Sequence, residues 1–198
     1  MNKRWLLTGP FLVLFTLMSL TTAVIAFTVL TEEEALREVF PKGVEIENET
    51  KILSGETLKN IRGKLGGSLV YLQEGSESAA VREEKKIVFH FAKQEGKRIG
   101  VAIVDEQPGK WGPVTFITAM NIQGTVKAVR VLSYEEIRGR PIAQLSFMNQ
   151  YRGKDVNSPL TVGKDIAGIS GATISSRSAT FAVKKALVIY NEVYKEKH

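Results

Sequence analysis

A short run of small and hydroxyl-bearing residues is the part of this sequence best suited to chemistry. It reads Ser170-Gly171-Ala172-Thr173 and continues into Ile174, Ser175 and Ser176. Glycine allows a tight turn and a close approach of a ligand to the backbone. Serines ahead of an apolar helical pattern are candidate N-caps, so we predict that Thr173 lies in a loop just before a helix. The N–H groups and the positive end of the dipole at such a helix N-terminus favour a phosphate group.

Other kinds of catalytic chemistry find few suitable residues in the chain. It has no cysteine and two histidines, His90 and His198, so thiolate nucleophiles, Cys-ligated clusters and His-based zinc sites are poorly supplied. Neither a Gly-x-Gly-x-x-Gly motif nor a Gly-x4-Gly-Lys-Ser/Thr motif is present. No base is evident near Thr173 in the sequence, so it is not predicted to be a self-sufficient nucleophile. We predict no metal site, and any redox chemistry must come from an organic cofactor.

The charge distribution bounds the choice of partner. The formal net charge is +6, but the lysines and arginines are scattered among glutamates. They do not form a basic cluster interleaved with aromatic side chains, so we predict no nucleic-acid partner. The pattern is typical of a solvated surface, and attraction to an anionic membrane or to an acidic redox partner is a second interpretation.

The N-terminal residues are predicted to form a membrane anchor. Lys3 and Arg4 precede an uncharged stretch from Trp5 to Leu30, which is long enough to cross a hydrocarbon core roughly 30 Å thick. The basic residues before it favour a cytoplasmic N-terminus. We therefore predict a single-pass protein of the cell membrane, with residues 1–30 as the anchor and the C-terminal domain on the extracytoplasmic side. The alternative is a cleaved signal peptide, with Val24-Ile25-Ala26 as the candidate cleavage site.

Helical patterns surround a run of predicted strands. Thr31-Glu32-Glu33-Glu34 is a capping box that predicts a helix through Phe40, and a second helix is predicted for residues 56–65. Residues 45–50 are interpreted as a loop and residues 69–72 as a short strand. Two hairpins are predicted, the first pairing 87–92 with 99–104 and the second pairing 114–120 with 125–132.

The C-terminal part of the chain is predicted to be mainly helical. One helix is predicted for residues 141–150, and a last helix runs from Ser176 or Ser178 to Tyr194. With the hairpins, these elements predict an α+β fold. It consists of a twisted, mainly antiparallel sheet packed with helices, behind one N-terminal transmembrane helix.

The motif and its surroundings resemble the FMN-binding domain family. Members include the G subunit of Rnf electron-transport complexes, the C subunit of sodium-translocating NADH:quinone reductase and the N-terminal domain of NosR-type regulators. The resemblance covers roughly residues 95–190. Outside the motif it rests on Phe147 to Asp155, on Leu160 to Ile166 and on Gly109-Lys110-Trp111-Gly112-Pro113. The family usually has Asp three residues before the motif serine; this chain has Ala167 there, and Asp165 two residues earlier.

The resemblance implies that FMN is the cofactor and that it is bound covalently. In the family, a separate flavin transferase forms a phosphoester between the final threonine of the motif, here Thr173, and the FMN phosphate. The chain would then be an electron-carrying subunit that works with redox partner proteins or complex subunits, rather than a stand-alone enzyme. The cofactor-binding turn would comprise Ser170, Gly171 and Ala172. Ser175 and Ser176 would bind the remaining phosphate oxygens.

The resemblance also suggests a division of the exported part and a role for Trp111. Residues 31–94 would be its N-terminal helical and loop part, and residues 95–198 its FMN-binding core. Trp111 would contact the flavin ring, although a tryptophan at a sheet edge is also a common packing residue. The alternative function is a membrane-anchored binding or regulatory module of the same fold, with reversible flavin or none, and it is motivated by Ala167.

Overall fold

One antiparallel sheet organises residues 27–72, 82–110, 112–134 and 140–195, which are the residues described by the computed structural model. Its six strands are ordered β1-β6-β5-β4-β3-β2. They are β1 (Phe27–Thr28), β2 (Glu45–Ile52), β3 (Lys86–Gln94), β4 (Lys97–Pro108), β5 (Pro113–Asn121) and β6 (Val126–Tyr134). From β2 to β6 each strand pairs with the next one in the chain. The two predicted hairpins are therefore confirmed, and they are joined into one meander.

Helices pack on both faces of this sheet. They are α1 (Glu32–Val39), α2 (Gly55–Leu65), α3 (Leu145–Met148) and α4 (Thr173–Tyr194). Ala92 and Ala102 lie in a small apolar cluster with α1, whereas their neighbours Phe91 and Val101 lie in the main core with α2 and α4. Because successive side chains of a strand point to opposite faces, α1 covers one face and α2 and α4 cover the other. The α+β class and the antiparallel sheet are confirmed.

The two N-terminal helices begin and end as their sequences predict. The Thr31 hydroxyl accepts a hydrogen bond from the Glu34 N–H at 3.2 Å, and the Glu34 carboxylate accepts one from the Thr31 N–H at 2.8 Å. These are the two reciprocal bonds of a capping box. Helix α2 ends at Gly66, whose φ of 82° is left-handed and therefore suits glycine.

Strand β2 corrects the prediction of a loop at residues 45–50. Its charged residues are paired rather than simply solvated: Glu47 contacts Lys93 at 3.0 Å, and Glu49 contacts Arg98 at 2.9 Å. The opposite edge of β2 is free within the described sheet, so a polar sequence is tolerated there. Cross-strand pairs therefore specify this strand where hydrophobic alternation is weak. On β3, His90 is buried, and its Nδ1 lies 2.9 Å from Asn48 Oδ1 on β2.

Two further predictions of secondary structure are wrong. Residues 69–72 form no strand; Leu69 and Val70 are buried as part of an irregular segment. The helix predicted for 141–150 is broken into a 3-10 turn at Arg140–Ala143, the short α3 and a second 3-10 turn at Asn149–Tyr151. The buried apolar residues of this segment face the core from short turns. Their spacing is therefore compatible with a broken helix as well as with the continuous helix that was predicted.

The predicted membrane anchor lies almost entirely outside the described residues, which begin at Phe27. Among the helices that are described, none combines the length and the hydropathy needed to span a bilayer. The predicted division of residues 31–198 after residue 94 also stays a prediction. Strands on either side of that point, β3 and β4, belong to the same sheet.

Candidate functional site

The motif lies at the N-terminus of the longest described helix. Helix α4 has 22 residues and is therefore about 33 Å long. Its inner face is part of the main core, where Ala179, Ala182 and Val183 are fully buried. Thr173, its first residue, is exposed. A helix that is fixed by its core contacts thus presents a solvent-accessible hydroxyl at its first position.

The turn before Thr173 depends on Gly171. This glycine has a φ of +79°, a conformation that costs a residue with a side chain about 1–2 kcal/mol. The turn is closed by a hydrogen bond of 3.0 Å from the Ala172 N–H to the Ile169 carbonyl. A Cβ atom added to Gly171 would meet no atom within 4 Å, so the surface over the turn is open. A ligand can therefore approach the backbone at this point.

The helix begins earlier than the sequence predicts. Thr173 is its first residue and not a loop residue, and the N-cap is Ala172, which makes no side-chain cap hydrogen bond. The serines expected to be N-caps, Ser175, Ser176 and Ser178, are all buried within the helix. The Ser176 hydroxyl accepts from the Ile169 N–H at 3.1 Å and donates to the Ala172 carbonyl at 2.9 Å. Ser176 therefore holds the loop from inside the first turn, and the predicted contacts of Ser175 and Ser176 with a phosphate stay predictions.

Gln150 holds the other end of the motif loop, residues 167–172, a role that sequence patterns did not predict. Its Oε1 accepts a hydrogen bond from the Ala167 N–H at 2.7 Å, and its Nε2 donates to the Ala167 carbonyl at 3.2 Å. The side-chain amide thus binds both backbone groups of one residue, as a neighbouring strand would. Ala167 itself, the residue that replaces the usual Asp, is exposed.

Asp165 stabilises the turn that precedes the motif. Its carboxylate accepts hydrogen bonds from the N–H groups of Thr161 at 2.8 Å and Leu160 at 3.1 Å, and it pairs with Lys154 at 2.9 Å. Partial burial raises the pKa of Asp165, but these hydrogen bonds and the lysine outweigh it and leave that pKa below its ordinary value. Asp165 is therefore a charged structural group, committed to its own turn.

The turn between β4 and β5 is connected to the first turns of α4. The Ser178 hydroxyl donates to the carbonyl of Pro108, the last residue of β4. The turn itself is closed by a hydrogen bond of 2.7 Å from the Gly109 N–H to the Gly112 carbonyl. Trp111 lies between these glycines but outside the described residues, so its contact with a flavin ring stays a prediction.

A buried ion pair connects the same end of β4 to the middle of α4. Lys185 Nζ lies 2.5 Å from Asp105 Oδ1, and Gln107 Nε2 donates to Asp105 Oδ2 at 2.7 Å. Gln107 also binds the backbone of the preceding segment, at the Tyr71 N–H (2.7 Å) and the Leu69 carbonyl (3.2 Å). Burial raises the pKa of Asp105, and Lys185 opposes that effect by favouring the charged carboxylate. This network fixes α4 relative to the sheet.

The comparison with known families agrees with this geometry. The family model of the FMN-binding domain matches residues 109–188. The match begins in the turn after β4, spans β5, β6 and the motif loop, and ends within α4. No curated protein matches the chain. The match supports an FMN-binding domain in residues 109–188, with FMN as its cofactor.

The residues at the N-terminus of α4 fit the phosphate of FMN. The first N–H groups of a helix have no intrahelical acceptor, and the helix dipole adds partial positive charge at the same place. Arg177, one turn after Thr173 and exposed, lies on the same face of the helix and brings a full positive charge. The open surface over Gly171 leaves space for the phosphate oxygens. The chemistry of this donor set is that of an anion-binding helix N-terminus.

Proposed function

We propose that this protein is a membrane-anchored electron-transfer flavoprotein that carries FMN covalently through a phosphoester on Thr173. The observation that carries the proposal is the exposed Thr173 hydroxyl at the first position of α4, directly after the open turn at Gly171. A hydroxyl in that position is accessible to a second enzyme. The same position places a phosphate on the hydroxyl beside the helix N-terminus.

The attachment step needs an activated donor and a separate transferase. Thr173 Oγ1 would form a bond to the phosphorus of an FMN donor of the flavin dinucleotide class. The pyrophosphate O–P bond breaks, its electron pair leaves with the departing nucleotide, and the hydroxyl proton passes to a base of the transferase. The product gains the mass of FMN minus one water. This chain supplies the acceptor oxygen and holds its loop, so no base of its own is required.

Bound FMN supplies one- or two-electron transfer, while the protein supplies orientation and electrostatics. Arg177 and the N-terminus of α4 would stabilise the remaining phosphate charge. The buried network of Asp105, Gln107 and Lys185 would keep α4 and the β4–β5 turn in a fixed relation. Redox partner proteins or complex subunits would exchange electrons with the domain, which would act as a carrier and not as a stand-alone enzyme.

The membrane location is part of the same proposal. The predicted anchor, residues 1–30, overlaps β1 (Phe27–Thr28), which lies at one edge of the sheet, so a membrane span would end before Phe27. An anchored domain on the extracytoplasmic side benefits from covalent attachment, because a flavin held only by weak contacts could be lost from the site.

The proposal is tested by the intact mass of the protein after coexpression with a flavin transferase, together with in-gel fluorescence of the denatured chain. The wild type should gain the mass of FMN minus one water, and digestion should place it on the peptide that contains Thr173. Thr173→Ala should abolish the gain. Thr161→Ala, which removes another exposed threonine hydroxyl from the turn before the motif, should leave it unchanged.

Two outcomes would contradict the proposal. Flavin retained by Thr173→Ala would mean that another hydroxyl is the acceptor. A wild type that folds but stays unmodified would refute covalent attachment, and release of a yellow chromophore on denaturation would then support the alternative, a module that binds flavin reversibly.

A further inference from the structure

The two ends of the motif loop are held by side chains rather than by strand pairing. Ser176 holds the end next to α4, through Ile169 and Ala172. Gln150 holds the other end through both backbone groups of Ala167. Between these two attachments, Gly168, Ser170 and Gly171 are exposed, and the side chain of Ile169 packs against the main core.

Gln150 is itself fixed relative to α4. It lies in the 3-10 turn beside Tyr151, which is fully buried. The Thr180 hydroxyl donates to the Ser176 carbonyl at 2.8 Å, so in its 2.9 Å contact with Tyr151 it accepts the proton of the phenol. The glutamine and the first turns of α4 are therefore connected through one buried pair of hydroxyls. Both ends of the motif loop are consequently held in the frame of the helix that carries Thr173.

We propose that Gln150 is a positioning residue for flavin attachment: its side-chain amide holds Ala167 so that the loop presents Thr173 in the conformation that the transferase binds. This inference rests on the proposed function, because it needs Thr173 to be the acceptor. It also gives the exposed Ala167 a defined place. The backbone of this residue is fixed by Gln150, so presentation of the acceptor does not depend on an Asp side chain at this position.

The expected effect is on binding and not on chemistry. Removing the amide leaves the folded core in place but allows the loop to populate other conformations. Apparent affinity falls in proportion to the fraction of molecules that are binding-competent. A tenfold fall in that fraction corresponds to about 1.4 kcal/mol, which lies within the range expected for the loss of two hydrogen bonds. We expect Gln150→Ala to raise the KM of the transferase for this protein by about tenfold, with kcat within about twofold of the wild type.

The experiment measures transferase kinetics on the purified protein, using mass and in-gel fluorescence to count modified chains. Gln150→Glu keeps an acceptor for the Ala167 N–H and loses the donor to its carbonyl, so its KM should lie between those of the wild type and Gln150→Ala. Gln144→Ala is the matched control, because Gln144 is an exposed glutamine of the same segment with no side-chain cap bond. Hydrogen exchange of the unmodified protein should show faster exchange at Ala167 in Gln150→Ala only.

Each result decides the inference. A raised KM, an intermediate Gln150→Glu and faster exchange at Ala167 support it. If the wild type is modified and Gln150→Ala has an unchanged KM, the inference is overturned but the proposed function stays intact. A lower kcat at unchanged KM overturns the positioning role. If Gln150→Ala fails to fold, the KM of Gln150→Glu decides: a raised KM supports the inference and an unchanged KM overturns it. An unmodified wild type overturns the proposed function, and this inference with it.

Discussion

Replacing Lys185 by methionine should destabilise the domain strongly at neutral pH. The change leaves a carboxylate in the interior without its cation. The side chains of Lys185 and Asp105 are 3% and 12% exposed, and their charged atoms are 2.5 Å apart. Without the lysine, Asp105 keeps the hydrogen bond from Gln107 at 2.7 Å, which does not balance a full charge. Methionine fills the space of the lysine stem, so the loss of packing is small.

The size of the effect follows from the burial of the pair. Removing one partner of a buried ion pair typically costs about 3–5 kcal/mol, a large part of the roughly 5–15 kcal/mol by which domains are stable. The cost should depend on pH, because Asp105 can take up a proton. Burial raises its pKa, and losing Lys185 raises it further. A carboxyl whose pKa is higher in the folded than in the unfolded state stabilises the fold fully below its unfolded pKa of about 3.9. This contribution is lost as the pH rises through the folded pKa. The deficit of Lys185→Met should therefore grow from pH 4 to pH 7.

Urea unfolding at a series of pH values measures both effects. Lys184→Met replaces the neighbouring lysine on the same helix and should change the free energy of unfolding by less than about 1 kcal/mol. The double variant Lys185→Met/Asp105→Asn removes the unpaired charge and should be more stable at pH 7 than Lys185→Met alone. A deficit below about 1 kcal/mol at pH 7, or one that does not change with pH, would refute the reasoning, since the ion pair would then contribute little to holding α4.

Two further predictions concern the motif loop and the turn before it. Gly171→Ala should lower the free energy of unfolding by about 1 kcal/mol because of the φ of +79° at this position. Gly63→Ala, in a helix interior with space for a methyl group, should raise it by a similar amount. Urea denaturation measures both changes, and equal effects of the two variants would contradict the backbone argument. Because hydrogen bonds outweigh burial and lower the pKa of Asp165, its contribution is present above about pH 4 and lost as the pH falls through the folded value. Asp165→Asn should therefore flatten the fall in stability between about pH 4 and pH 2. A fall as steep as that of the wild type would show that Asp165 does not contribute to it.

Local patterns predicted the parts of the fold that local forces specify. The capping box at Thr31 and the end of α2 at residue 65 are decided within a few residues, and both were predicted correctly. The hairpins followed from β-branched residues and glycine turns. Strand β2 was not recognised because its stability comes from partners on β3 and β4, such as Lys93 and Arg98, which its own sequence does not reveal.

The candidate site was only partly predictable for the same reason. The motif and its place at a helix N-terminus follow from adjacent residues. The start of α4 was misplaced because Ser176 binds the loop from inside the first turn. A sequence pattern does not distinguish such a serine from one at the N-cap. The contact of Gln150 with Ala167 spans 17 positions and the contact of Lys185 with Asp105 spans 80, and neither has a periodic signature.

The order of the strands also bears on how the chain folds. Strands β2 to β6 pair with their neighbours in sequence, so the meander can form hairpin by hairpin with little loss of loop entropy. The contacts that fix α4, from Ser178 to Pro108 and from Lys185 to Asp105, close 70 and 80 positions. We therefore expect Thr173 to reach its final position late, after the meander has formed. If Thr173 carries FMN as proposed, attached flavin would mark chains that have completed folding, and the flavin content of a preparation would report the fraction of correctly assembled protein.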